Sequence, residues 1–212
     1  MDKNGLNKEI AVQSEMAQID IADAILIERC RQGDSAAMER LIIKYQNRIY
    51  NVILKMCTNP HDAAELTQET FVKIIQSIAK FESKSSFYTW AFRIAVNLTL
   101  NYCQRNARFG LKSLDSNGYG RIEEDTRALR ELLSDDSSPD PAIVAQSKEL
   151  CEIAVQSLMK LDDEQRAVVV LRDIEGMNYA QIADVLQIKL GTVRSRLSRA
   201  RSRLREIVEA ML

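Results

Sequence analysis

Three observations predict an all-α fold in which two small helical domains are joined by an acidic linker. The 212-residue chain is 46% hydrophobic but only 6% aromatic, with seven glycines and three prolines, a balance that favours helices over sheets. Its apolar residues recur at helical spacing, three or four residues apart, on both sides of its middle. Between them, residues 109–145 carry eight acidic side chains against four basic ones, and Ser134-Asp-Asp-Ser-Ser-Pro-Asp-Pro141 is a cluster of helix breakers that marks a boundary.

The elements follow in order. Residues 1–22 are mixed and polar and read as an arm. Asp23 can cap a first helix, Ala24 to Arg31, which Gly33 ends. A long second helix runs from Asp34 to about Cys57, with Met38, Leu41, Ile42, Tyr45, Ile49, Val52, Ile53 and Met56 as its apolar positions. Thr58-Asn-Pro60 breaks it, and Pro60 suits the first turn of the next helix. That third helix, about 60–79, turns Thr67, Phe71, Ile74 and Ile78 toward a core and leaves Leu66 and Val72 at the edges. Asp62, Glu65, Glu69 and Gln76 line its other side, a pattern that by itself reads as a solvated acidic face.

Phe81-Glu-Ser-Lys-Ser-Ser-Phe87 is a polar loop between aromatics, and five of the chain's twelve aromatic residues fall within 81–92. A fourth helix runs on to about Arg105 with Phe87, Ala91, Ile94, Leu98 and Tyr102 as a core stripe. Its opposite side carries Phe92, Val96, Leu100 and Cys103. A helix apolar on both sides is expected to be sandwiched, so a helix, the other domain or a partner should cover this second face. Within the acidic linker, Ile122, Leu129, Leu132 and Leu133 can form one short amphipathic helix.

In the C-terminal part (146–212) helices are expected from Ile143 to Lys160 and from Asp163 to about Ile174, the latter capped by Asp162 with Gln165 three residues on and ended by Glu175-Gly176. Asn178 and Gln181 form a capping box for a short helix with Ile182, Val185 and Leu186 on its apolar face. Gln187-Ile-Lys-Leu-Gly191 is a tight connection, and Thr192 can cap the helix that follows. Short helix, brief turn and basic helix make a helix-turn-helix.

That last helix carries the chemistry. From Thr192 to Arg205, Val193, Leu197, Ala200 and Leu204 fall in one narrow stripe that can dock on a core. Opposite lie Ser195, Ser198 and Ser202, flanked by Arg194, Arg201 and Arg205 on one side and Arg196, Arg199 and Arg203 on the other. No acidic residue interrupts the run from Lys189 to Arg205, so the stacked cations repel unless an anion outside the run neutralises them. A ridge of small side chains between arginines suits a DNA groove, where the ridge permits close approach and guanidinium groups reach phosphates or guanine edges.

Composition removes other classes. The formal net charge is −1, so nucleic-acid binding must come from local patches. Cys30, Cys57, Cys103 and Cys151 are far apart, form no CxxC, and have only His61 as a histidine, so no metal site and no cofactor are expected. No apolar run is long enough to span a membrane, and acidic residues interrupt the N-terminus, which excludes a signal peptide; a cytoplasmic protein with reduced thiols is expected.

Two separated blocks resemble one family. Asp62-Ala-Ala-Glu-Leu-Thr-Gln-Glu-Thr-Phe71, followed by Phe87-Tyr-Thr-Trp90 and Ile94-Ala95-x-Asn97, is similar to the second conserved region of bacterial sigma factors. Leu161-x-x-Glu-Gln-Arg166, Leu171-Arg-Asp-x-Glu-Gly176, Tyr179-x-x-Ile-Ala183 and Gly191-Thr-Val-Arg-Ser-Arg-Leu197 resemble the fourth region. Nothing like the intervening third domain fits the linker, which resembles the small extracytoplasmic-function group. The resemblance implies a first domain over 23–108, a linker over 109–145 and a second domain over 146–212. It also implies the function: binding core RNA polymerase, directing it to promoter DNA and helping to open the duplex.

The resemblance further implies that Asp62, Glu65, Gln68 and Glu69 dock on the polymerase clamp, which reverses the solvated-face reading. It assigns Lys80, Phe81, Lys84, Ser85, Ser86, Phe87 and Tyr88 to capture of a flipped minus-10 base, with Trp90, Arg93 and Asn97 along the strand; for Trp90, plain core packing stands equally open. Thr192, Arg194, Ser195, Arg196, Ser198, Arg199 and Arg203 would read the minus-35 duplex. The linker would thread the polymerase interior near the path of nascent RNA, and an anti-sigma protein would hold the factor inactive, with the second face of the fourth helix as a place to grip. Gln187 stands where the family often has glycine, Val96 where a basic residue is common, and Asp162 where proline is frequent. The alternative is a stand-alone helix-turn-helix regulator, which leaves the acidic face and the aromatic loop without a task. No nucleophile–base set or glycine-rich phosphate loop is present, so no enzyme and no small-molecule substrate are expected.

Overall fold

The computed structural model describes residues 23–110 and 153–211, and these form helices without a strand. In chain order they are α1 (23–31), α2 (Ser35–Cys57), α3 (Pro60–Ser77) with a 3-10 turn Ile78–Lys80, α4 (Phe87–Gly110), α5 (153–159), α6 (Asp163–Val169) running into a π-helical turn Val170–Ile174, α7 (Tyr179–Leu186) and α8 (Leu190–Glu209). The expected arm, the linker helix and the start of the helix from Ile143 lie outside the described residues.

Helix ends follow local chemistry. The Asp34 carboxylate accepts from the amides of Ala36 and Ala37 at the start of α2. Asn59 caps α3 ahead of Pro60, Asp162 caps α6 through the Gln165 amide, and Asn178 and Gln181 close a reciprocal capping box on α7. Gly33 and Gly176 end their segments with φ of 86° and 74°.

Two expected caps are corrected. Asp23 does not cap α1: it is buried, and its carboxylate accepts from the Lys44 ammonium and the Tyr45 hydroxyl, because a buried charge needs partners more than a helix end needs a cap. Thr192 does not cap α8. The helix begins two residues earlier, with Lys189 at the cap position and no side-chain cap, and the Thr192 amide donates to the Lys189 carbonyl at 2.8 Å.

The first group, α1–α4, buries Leu41, Tyr45, Ile49, Val52 and Ile53 of α2 against Leu66, Phe71 and Ile74 of α3 and Phe87 and Ala91 of α4. Leu66, placed at an edge from the sequence, belongs to this core, while Thr67 is only half-buried. The second group, α5–α8, buries Val155, Leu158, Val168, Leu171, Ile182, Val185, Val193, Leu197 and Ala200. Each such valine, leucine or isoleucine side chain contributes roughly 1.5–3 kcal/mol when fully withdrawn from water.

The two groups pack on each other, and α4 lies between them. It touches α2 and α3 on one side and α6 and α7 on the other. Phe92 and Val96, on its second apolar face, are completely buried, as expected of a sandwiched helix. Arg93 near one end of this face meets Asp184 of α7, and Cys103 at the other lies near Asp163 and Arg166 of α6. The cover is therefore the chain's own second half.

Candidate nucleic-acid interface

The loop before α4 is held from both ends. The Phe81 amide closes the 3-10 turn on the Ile78 carbonyl at 3.2 Å, and the Arg31 guanidinium donates to the Phe81 carbonyl. Ser83 adopts a left-handed backbone at φ 56°, and the Ser86 hydroxyl accepts from the Thr89 amide at 3.1 Å, which caps α4. The rings of Phe81, Phe87 and Trp90 pack with centroids 4.9–6.2 Å apart.

This geometry divides the residues assigned to strand capture. Phe81, Phe87 and Tyr88 are core residues, 5%, 2% and 7% exposed, because their large apolar rings gain most from burial. They build the wall; they do not present free faces. Tyr88 is further covered by the Arg48 guanidinium, 4.7 Å above its ring. Ser86 is occupied as a cap. Lys80, Lys84 and Asn97 are exposed, and Ser85, Trp90 and Arg93 half-exposed. Lys80, Lys84, Ser85, Trp90 and Arg93 border an open cavity of about 340 Å³, closed on one side by Asp184 and Gln187 of the second group. Trp90 has one part in the aromatic cluster and one part at the cavity.

On α3, Glu65, Gln68 and Glu69 are exposed on one face, joined by Val72 and Ile75 at 49% and 48% exposure. Carboxylates and uncovered aliphatic side chains thus share one face of α3. Lys73 lies 3.5 Å from Glu69 one turn away. Asp62 differs from the other three: it is half-buried and hydrogen-bonded to the Tyr102 hydroxyl, whose pKa is raised by burial first and by this carboxylate second.

In the helix-turn-helix, the turn forms at Gln187, left-handed at φ 55°, a conformation that glycine adopts without cost. Its side-chain amide donates to the Asp184 carbonyl at 2.6 Å and helps to hold it. Val193, Leu197 and Ala200 dock α8 on the core, and Ser195, Ser198 and Ser202 face water between exposed arginines. The charge of α8 is partly answered within the chain. Arg196, only 23% exposed, pairs with Glu164 at 2.7 Å, Arg201 makes a two-point pair with Asp173, and Arg203 pairs with Glu206 at 2.9 Å. Arg199 donates to the Ser195 carbonyl at 3.3 Å, and its guanidinium stays exposed, as does that of Arg194. An exposed ridge of Arg194, Ser195, Ser198 and Arg199 remains, with Thr192 half-exposed at its start and Arg196 turned back toward α6.

Sequence reasoning gave no role to Arg48 and read Glu175 only as a helix end, yet the two join the groups at 2.7 Å, and it quoted Arg166 only as part of a matched block. Arg166 donates to the carbonyls of Leu158, Met159 and Leu161 and, across the groups, to Met56 at 2.6 Å. One guanidinium thus binds carbonyls at and just beyond the C-terminal ends of two helices.

Comparison with known proteins agrees with this geometry. Residues 41–109 match the family Sigma-70 region 2 and residues 151–204 match Sigma-70, region 4. The chain is 32% identical over 190 residues to the RNA polymerase sigma-H factor of Pseudomonas aeruginosa, covering 90% of this chain and 95% of that one. It is 30% identical over 192 residues to the ECF RNA polymerase sigma-E factor of Escherichia coli K12, covering 91% and 97%. Among solved structures, CnrH in complex with the cytosolic domain of CnrY is similar with a TM-score of 0.61 at 24% identity over 89% of this chain and 98% of that one. The sigma factor RpoE in complex with the anti-sigma factor NepR from Bartonella quintana is similar at 0.60 and 19% identity, covering 81% and 96%. With an acidic face, an aromatic-walled loop and a helix-turn-helix in one chain that aligns over nine-tenths of its length with such factors, the protein belongs to the sigma-70 family as a sigma factor of the extracytoplasmic-function type.

Proposed function

We propose that residues 23–108 and 146–212 act as two heads, the first binding the polymerase clamp and the minus-10 strand and the second reading the minus-35 duplex. Glu65, Gln68 and Glu69, with Val72 and Ile75 beside them, make the polymerase face; Asp62 supports it from its half-buried position. Lys80, Lys84, Ser85, Trp90, Arg93 and Asn97 take the displaced strand, on a wall built by Phe81, Phe87 and Tyr88. Unstacking a base costs a few kcal/mol, which stacking in such a pocket can offset. Thr192, Arg194, Ser195, Ser198 and Arg199 enter the major groove, Arg203 lies farther along, and Arg196 sets the position of α8 through Glu164. An anti-sigma protein is the further partner, as in the RpoE–NepR complex.

The observation that carries this reading is the presence, in one chain, of an uncovered acidic–apolar face beside an aromatic-walled cavity and a separate groove-sized basic ridge. A stand-alone regulator needs only the last. Glu69→Lys tests it: affinity for core polymerase should fall while the helical circular dichroism and melting stay unchanged. Unaltered affinity would remove the docking role of this face.

A further inference from the structure

Resting on the two-headed reading, we infer that Tyr102 is a positioning residue of the polymerase face: its hydroxyl, held in turn by Asn106, presents the Asp62 carboxylate as a pre-formed anchor for one basic side chain of core polymerase.

Asp62 stands apart from the other carboxylates of the face. Glu65 and Glu69 are exposed, and each has a neighbour one turn away on α3, His61 at 3.3 Å and Lys73 at 3.5 Å. Asp62 is half-buried and borders a cavity of about 510 Å³ together with Asn59, Tyr102 and Asn106. Asp163 and Arg166 of α6 border the same cavity, but they lie 3.7 Å from each other and offset each other's charge. Among the described residues no cation forms an ion pair with Asp62. The cavity is left with one uncompensated carboxylate.

The groups that hold this carboxylate belong to the first group of helices. The Asp62 amide donates to the Asn59 side chain at 3.0 Å, so Asn59 caps α3 and the Asp62 carboxylate has no capping task. The Tyr102 hydroxyl donates to the Asp62 carboxylate, and the Asn106 side-chain amide donates to the Tyr102 oxygen. Burial first and the carboxylate second raise the pKa of Tyr102, which keeps its hydroxyl a donor. Asn106, Tyr102 and Asp62 thus form a relay from α4 to α3.

The relay leaves room for a cation. An ionised carboxylate offers about four acceptor positions, and one hydrogen bond from Tyr102 fills one of them. The others can take a guanidinium at two points or an ammonium at one. A charge half withdrawn from water is costly without a partner. Asp62 is fixed on folding, whereas the exposed Glu65 and Glu69 must be ordered on binding. The exposed carboxylates therefore steer the encounter, and the recessed one sets how long the complex lasts. Asp62 lies three residues before Glu65 on one helix, so the anchor is continuous with the exposed face.

The test measures association and dissociation rates of the full chain with purified core polymerase. Asp62→Asn should weaken binding about tenfold, mainly through faster dissociation. Tyr102→Phe removes only the hydroxyl; it should weaken binding about threefold in the same way and add nothing in a chain that already carries Asp62→Asn. Circular dichroism and thermal melts check folding. Asn106→Ala, at an exposed position, should give a smaller loss that also vanishes beside Asp62→Asn, and it decides the matter if Tyr102→Phe fails to fold. A lower melting temperature with unchanged dissociation in Tyr102→Phe would make the relay a strap between helices and overturn the inference. Losses that add in the double variant would overturn it too. Glu69→Lys is scored separately: unchanged affinity there removes the exposed acidic face, whereas weakened affinity there beside an unaffected Tyr102→Phe removes the anchor alone.

Discussion

The two regions proposed to face DNA are built on opposite plans. Across residues 81–92, five side chains are aromatic and one, Lys84, is a cation, and most of the rings are consumed by the core; what faces water is a thin set of polar and basic groups on an aromatic wall. Along α8 the sequence is rich in cations, and three of its arginines are matched by carboxylates of the same chain, Arg196 with Glu164, Arg201 with Asp173 and Arg203 with Glu206. The comparison teaches that side chains written into a sequence are not the side chains available to a ligand. The loop proposed to capture the strand spends its large rings on architecture. The helix proposed to read the groove keeps some charges outward and pairs the others within the chain.

The sharpest way to break this comparison is Phe87→Ala. As a wall residue, 2% exposed, it should cost about 3–5 kcal/mol of stability by chemical denaturation. Unchanged stability with lost promoter opening would instead make it a contact residue. Next come the arginines. Arg194→Ala or Arg199→Ala should cost roughly 1–3 kcal/mol on a cognate minus-35 duplex and relax preference at one position, measured by competition binding. Arg196→Ala should leave the salt slope of binding unchanged, whereas a phosphate contact there would reduce the slope by about 1. Asn178→Ala, which removes the capping box beneath the ridge, should lower stability by about 1 kcal/mol in a thermal melt and leave the salt slope alone.

A further prediction concerns pH and distinguishes the first group by its thiols. Burial pushes the Cys57 thiol up to about 12 and the Cys103 thiol up to about 11, from an ordinary value of 9.0. The folded chain keeps protons that the unfolded chain releases. This contribution to stability is complete below pH 9 and is lost as pH rises toward 11–12. The denaturation midpoint should fall across that window, and less steeply in Cys57→Ala. For the same reason both thiols should react slowly with alkylating agents at neutral pH.

Much of the fold was legible because its signals are local. Asp34, Asn59, Pro60, Asp162 and the Asn178–Gln181 box each act within one turn, and the two-sided apolar pattern of α4 announced a cover before any cover was known. Asp23 misled because its partners, Lys44 and Tyr45, are one helix away, and local capping rules cannot see a tertiary demand. Thr192 misled because α8 starts without a side-chain cap, so the nearest good capping residue marked the wrong place. At the site, residue types were readable but exposure was not. Whether Phe87 points to DNA or to Tyr45, whose ring centroid is 5.3 Å away, depends on how three helices meet. The role of Arg166 was invisible because carbonyl acceptors leave no mark in a sequence.

That arginine has a consequence for how the molecule falls apart. By tying the ends of α2 and α5 through one planar group, Arg166 couples the heat unfolding of the two halves. Calorimetry on the free factor should record a single cooperative peak, and replacing this one side chain with leucine should split it into two.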